Sequence, residues 1–183
     1  MTTIRLRFYF KLILFTLFFF FACGFQTSFW PHIITFIPCP QIWLLLIFFI
    51  TLKWSPIFTI FYIYFLGFCL TRFSQIPLKM AWTTLLVTFG LLSVLKNRVQ
   101  LSGVFSFVIY CLVGSMIFHV SYVLLSEFLE RTPTTVLFIE RFLQILVNFI
   151  FSYLLYFVFE WLDHFFASRD DWAQTPEKQE FDL

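Results

Sequence analysis

The few charges in this chain divide it into apolar stretches about as long as a membrane is thick, and that spacing limits what it can fold into. A membrane-spanning helix needs roughly 20 mostly apolar residues. Five stretches approach or exceed that length: residues 8–25, 55–73, 80–95, 101–130 and 139–166. A sixth, QIWLLLIFFITLKW at 41–54, is short for a span and is expected to borrow residues from Ile33 onward. Between the first and this one lies QTSFWPHIITFIPCP, whose three prolines predict an interfacial, partly buried crossing. Of the 183 residues 61% are hydrophobic, 12% are charged and 31 are Phe, too few polar groups to coat a soluble domain. The expected fold class is an all-α membrane protein, a compact bundle of about six transmembrane helices. Residues 1–166 form its single domain, and the polar stretch 167–183 is a disordered cytoplasmic tail.

Arg5, Arg7 and Lys11 precede the first span, as in a signal peptide. The following residues lack a small-x-small cleavage pattern, so the segment reads as an uncleaved anchor. With six spans and the N-terminus inside, the cytoplasmic segments hold Arg5, Arg7, Lys11, Lys53, Lys96, Arg98, Arg169 and Lys178, and the other side holds Arg72, Lys79, Arg131 and Arg141. Eight against four follows the positive-inside rule and predicts both termini in the cytoplasm. Net charge is +2, with no basic run or phosphate-binding loop, so no nucleic-acid partner is expected. Cys23, Cys39, Cys69 and Cys111 stand singly in apolar segments and read as small buried hydrophobes.

Ionisable and polar groups at membrane depth are the places to look for chemistry. Glu160 and His164 lie one helical turn apart, next to Asp163 and Trp161, where the last span leaves the bilayer; anchoring explains them without a metal. His119 lies well inside the fifth span, and its expected role is a neutral hydrogen bond to a neighbouring helix. Arg72 and Lys79 bracket FSQIP, a turn in which Pro77 breaks the helix, and they form a possible contact for an extracytoplasmic partner. In the last span every fourth residue is polar: Glu140, Gln144, Asn148, Ser152, Tyr156, Glu160 and His164. Steps of four drift by roughly 40° on a helix of 3.6 residues per turn, so no single pocket or straight pore can use them all. Gln144, Asn148 and Ser152, with His119, read as packing groups between helices. The short connection ERTPTTV predicts that the last two spans form an antiparallel hairpin, with His119 level with position 147 and hence beside Asn148.

Read in order, GFQTSFW, the proline-bearing crossing, PQIWLLLIFFITL and FLGFCLTRFSQIPLKMAWTTLLVTFGLL resemble the rod shape-determining protein MreD family of bacterial inner-membrane proteins. That family shows a Gln near the end of span one, a Pro before span two and a GxxxDxxSxxPLG-like segment between spans three and four. Gln26, Pro40, Gly67, Ser74, Pro77 and Leu78 stand at these positions, while Thr71 and Lys79 replace the family's Asp and final Gly. The resemblance covers roughly residues 20 to 100. It implies a six-helix bundle similar to the substrate-binding component of energy-coupling vitamin transporters. It also implies a structural role beside an MreC-like protein in the complex that guides peptidoglycan synthesis, linking the MreB filament to the glycan polymerase and transpeptidase. No catalytic residue, cofactor or metal comes with it, and the residues themselves suggest none. The expected function is thus a scaffold subunit of the cell-elongation complex, not an enzyme. The alternative is a small-molecule-binding subunit or carrier of the vitamin-transporter type.

Overall fold

The computed structural model describes residues 2–74, 76–98, 103–130 and 138–164; the expected tail at 167–183 and the connection at 131–137 lie outside them. The first helix runs further than the sequence suggests. Helix α1 (Thr2–Gly24) passes into a π-helical stretch, Phe25–Phe29, and ends in α2 (Trp30–Ile33). The apolar run extends from Tyr9 to Ile33, so most of the segment expected as an interfacial crossing belongs to the first span. Pro31 accounts for the π-helical stretch. Its ring lacks an N–H and crowds the carbonyl four residues back, and the helix passes it by widening. Trp30 N–H donates to Phe25 O across the wider turn, and the Thr27 hydroxyl donates to Cys23 O at 2.9 Å. Only residues 34–41 leave the helical path.

Helix α3 (Ile42–Lys53) follows Pro40 and Gln41 and stops at the Trp54–Ser55–Pro56 turn. It does not borrow residues from Ile33 onward. Twelve residues rise about 18 Å, against roughly 30 Å of hydrocarbon. It is apolar on every side, and Ile42 through Thr51 are all buried, as a helix without a polar face must be. Around it stand α1, α4 (Pro56–Phe73), α5 (Leu78–Arg98), α6 (Gly103–Leu129) and α7 (Phe138–His164), each packed against it. Five helices of the described residues are long and apolar enough to cross a membrane; α3 is the short sixth, enclosed by them. Its aromatic side chains key into the surrounding helices: Phe49 against Phe159 and Phe107, with ring centroids 5.3 and 5.9 Å apart, and Trp43 edge-on to Phe118 at 5.7 Å.

Polar contacts fix which ends of the helices lie together. At one end Lys53 Nζ is 2.7 Å from Glu160 Oε1, Lys11 pairs with Asp163, and Lys96 Nζ donates to Thr51 O at 3.0 Å. These contacts put the early part of α1 and the last turn of α7 on the same side of the bundle. At the other end Lys79 Nζ donates to Leu129 O, tying the start of α5 to the end of α6. Six passes, alternating in direction, satisfy both sets.

Small residues set how closely the helices approach. A Cβ on Gly114 would lie 2.8 Å from the Phe48 ring and 3.2 Å from Leu92, so α6 meets α3 only because this position has no side chain. A Cβ on Gly67 would lie 2.7 Å from Trp82 Cδ1, and Trp82 in turn donates its indole N–H to Tyr64 O at 3.0 Å. Gly90 has nothing within 4 Å of that position. Gly114→Ala is therefore expected to cost about 1–3 kcal/mol by overpacking, whereas Gly90→Ala should be neutral or stabilising by up to about 1 kcal/mol. Thermal unfolding of the two variants in detergent checks the contrast; equal melting shifts would disprove it.

Candidate functional site at the polar end of the bundle

The eight non-helical residues before α3 pose a problem that helical segments do not. Backbone N–H and C=O groups inside a bilayer need partners, and irregular backbone is tolerated only where protein or a cavity encloses it. At the α3 end of the segment, α7 supplies two of the partners. Gln144 Nε2 donates to Cys39 O at 2.5 Å, and Asn148 Oδ1 accepts from the Gln41 backbone N–H at 2.8 Å. Asn148 Nδ2 then donates to Gln41 Oε1 at 3.1 Å and to Ser115 Oγ on α6 at 3.3 Å. A fourth contact, from Gln144 Nε2 to Asn148 Oδ1 at 3.4 Å, fills the amide's capacity of two accepted and two donated bonds. Asn148 is 0% exposed. On the α1 side, Trp30 Nε1 donates to Ile37 O at 3.0 Å.

The four residues expected to pack between helices divide here. Gln144 and Asn148 bridge elements. Ser152 is buried but donates to Phe149 O, 2.7 Å away on its own helix, and bridges nothing. His119 is 4% exposed, and neither ring nitrogen has a hydrogen-bond partner among the described residues. The helices α6 and α7 do pack directly, but in a register about three residues from the expected one. Ser115 meets Asn148, and the Arg141 guanidinium lies over Tyr122 with 5.7 Å to the ring centroid. Position 119 is thus level with 144, not 147, and Asn148 reaches the serine one turn from the histidine. Gln41 was not singled out from the sequence. Its signal is its place: the last polar residue before an unbroken apolar run, directly after a proline.

Beside this seam lies a cavity of about 260 Å³. The π-helical stretch contributes Gln26 and Thr27, the non-helical segment Cys39 and Gln41, α4 and the following turn Ser74 and Ile76, and α7 Gln144. Residues far apart in sequence at the positions of resemblance therefore meet here. Gln26 and Ser74 line the cavity, Pro40 lies between the lining residues Cys39 and Gln41, and Pro77 follows the lining residue Ile76. Gly67 lies two turns away along α4, at its contact with Trp82, and Leu78 begins α5. A larger groove of about 420 Å³ between α1 and α4 is walled by apolar side chains apart from the Thr16–Tyr62 hydroxyl pair, 2.9 Å apart.

The charged candidates are occupied to different degrees. Glu160 sits between Lys53 and His164, whose Nε2 is 2.9 Å from Glu160 Oε2, and Asp163 pairs with Lys11. Among the described residues no three His, Cys, Asp or Glu side chains are grouped for a metal ion, and Cys23, Cys39, Cys69 and Cys111 are free thiols. Lys79 caps the end of α6, so it is a fastening as well as a surface charge. Arg72 is exposed, its guanidinium over the Phe68 ring at 5.5 Å. Thr71 donates to Phe68 O at 2.8 Å, within its own helix.

The described residues form a helical bundle without strands, in which five apolar helices are of membrane-crossing length and α3 is shorter, compatible with a multi-pass membrane protein. Compared with family models, curated proteins and solved structures, the chain matches none.

Asn148 supplies a measurable test of the seam. Asn148→Leu removes four contacts and leaves the Gln41 N–H without its acceptor, a loss expected to be about 1–3 kcal/mol, whereas Ser152→Ala removes one bond within a helix and should cost less than about 1 kcal/mol. Denaturation midpoints in detergent read both. Similar losses for the two would mean that the Asn148 contacts do not hold the start of α3.

Proposed function

We propose that this chain is a scaffold subunit of the bacterial cell-elongation complex, set in the inner membrane beside an MreC-like protein and helping to maintain cell shape by organising peptidoglycan synthesis. The observation that carries this reading is that Gln26 and Ser74, two positions through which the sequence resembles the MreD family, line one cavity, with Pro40 and Pro77 next in sequence to its lining residues Cys39, Gln41 and Ile76. The interior supports it as well. Asn148, Gln144 and Ser115 fasten helices to one another, and the ion pairs at the other end close charges on themselves. In this reading the exposed Arg72 faces the extracytoplasmic partner. Recovery of cell-wall synthesis proteins with the tagged chain from native membranes tests it. Arg72→Glu should reduce that recovery several-fold at unchanged membrane levels. Recovery of none of them by the unaltered chain would refute the scaffold reading, and full recovery with Arg72→Glu would refute the contact.

The bias of eight basic residues against four supports an orientation with both termini in the cytoplasm. Lys11, Lys53 and Lys96 then lie at the cytoplasmic end, and the cavity opens near the outer face. A reporter active only outside the cytoplasm, fused after Leu183, should be silent. An active fusion would invert the orientation.

A second reading, a small-molecule-binding subunit of the vitamin-transporter type, is favoured by the cavity itself. Native mass spectrometry of the purified chain separates the two, because this reading requires a retained small molecule and the scaffold reading does not.

A further inference from the structure

The larger groove, between α1 and α4, opens sideways out of the bundle. Its floor is made of the buried Trp54 and Tyr62, and its rims are exposed. Ile13, Leu17 and Phe20 on α1 recur at four and three residues, and Phe58, Phe61 and Phe65 on α4 at three and four, so each helix contributes one apolar ridge. Trp54 fills the space between the ridges at the floor, its ring 5.6 Å from Phe15 and 5.3 Å from Tyr62. No charged side chain lines the groove. Its two hydroxyls spend their hydrogens inside the protein: Thr16 donates to Leu12 O at 2.8 Å, so in the 2.9 Å pair Tyr62 is the donor to Thr16 Oγ1. The groove therefore suits an apolar occupant and leaves a charge without a partner.

Depth and length narrow the occupant further. The apolar run of α1 begins at Tyr9, and α4 begins at Pro56, just after Lys53, so the groove occupies the half of both helices nearest the end that holds Lys11, Lys53 and Lys96. From Leu12 to Phe20 the rise is about 12 Å, and from Phe58 to Phe65 about 10 Å. One leaflet of the hydrocarbon is roughly 15 Å thick. A transmembrane helix, from a partner or a second copy, crosses both leaflets and would find this groove along only half its length. It is also too wide: a 12 Å stretch of helix about 10 Å across takes roughly 900 Å³, against about 420 Å³ here.

We propose that this groove holds one acyl chain of a phospholipid from the leaflet at the lysine end, as a resident lipid that stays with the protein while the surrounding lipid exchanges. An alkyl chain is narrow enough for the groove, apolar along its length and confined to one leaflet. The rims are continuous with the surface that α1 and α4 present to lipid, so a chain enters from the side without any movement of the helices. If the groove stood empty its walls would forfeit their dispersion contacts, and a chain inside it touches protein on the floor and both ridges, where a lipid outside touches one face. The inference rests on neither of the two readings of the function.

The test uses the full chain in nanodiscs of palmitoyl-oleoyl phosphatidylglycerol. Native mass spectrometry after transfer to detergent counts the lipid the chain keeps, and one molecule per chain is expected. Leu17→Trp enlarges a rim residue and should lower the retained fraction about tenfold. Leu91→Trp makes the same change on α5, outside the groove but in the same half of the bundle, and should leave that fraction within about twofold; the two leucines are comparably exposed, at 61% and 51%. A trace of the same lipid with a diazirine midway along one chain tests the unaltered protein without any variant. Irradiation should label residues 12–20 and 58–65 above the other lipid-facing segments. No retained lipid, a retained fraction that Leu17→Trp and Leu91→Trp change alike, or labelling spread evenly over the outward faces would each overturn the proposal. A dimer that keeps no lipid would overturn it too, and would give the groove to a second copy of the chain.

Discussion

A single buried amide holds the start of the short central helix. Helix α3 is about 18 Å long, too short to cross a bilayer by itself, and the eight non-helical residues before it must find partners for their backbone groups elsewhere. Asn148 and Gln144 meet that need by offering side-chain groups to Gln41 and Cys39 where the backbone has none of its own. Because Asn148 also reaches Ser115, the same group fixes α7 against α6 and both against the non-helical segment. Individual polar contacts between membrane helices contribute only about 0.6 kcal/mol on average. The weight of this one comes from the backbone N–H of Gln41, which it supplies with an acceptor just before α3 begins.

With α3 placed, the remaining helices pack around it by shape. Gly114 admits Phe48, Gly67 admits Trp82, and Phe49 packs edge-on to Phe107 and tilted against Phe159. Dispersion and close packing, not water exclusion, hold helices together in lipid, and these three contacts show the forms this takes: small residues where backbones approach and rings where they do not. The abundance of Phe then has two distinct uses. Some rings fill the space around α3, whereas Phe61, Phe105 and Phe128 point outward with 70%, 79% and 83% exposure and offer an apolar face to lipid.

Much of this was legible in the sequence, and the failures have physical causes. Five long apolar helices follow from length and hydropathy alone, because a bilayer sets one thickness for all of them. Pro31 was misjudged: a proline near the end of an apolar run signals a break in water, but a helix surrounded by others can widen and continue past it. The hairpin of α6 and α7 followed from the short connection, but its register did not. A shift of three residues is less than one helical turn, and periodicity cannot fix it. That shift separates His119 from Asn148 and gives Ser115 the bond instead. Ser152 was misread because a hydroxyl in a helix can bond back to its own turn, a choice that spacing does not reveal. The cavity was not legible at all, since Gln26, Gln41, Ser74 and Gln144 come from four separate parts of the chain.

The two ends of the bundle differ in their chemistry, and the difference bears on where function can lie. At the lysine end the charges of Lys11, Lys53, Glu160 and Asp163 are matched within the chain, and Lys96 is bound to a backbone carbonyl. Matched charges fasten helices but leave little for another molecule to recognise. At the opposite end the cavity beside the Asn148 seam has no charged side chain on its wall, and Gln26 Oε1 has no hydrogen-bond donor among the described residues. Two departures from helical geometry, each costly in lipid, meet around that space. A chain selected only for a stable bundle would continue its first helix regularly and start its second one earlier. Both departures and the cavity coincide at this end, with Gln41 and Gln144 of the Asn148 seam on the cavity wall.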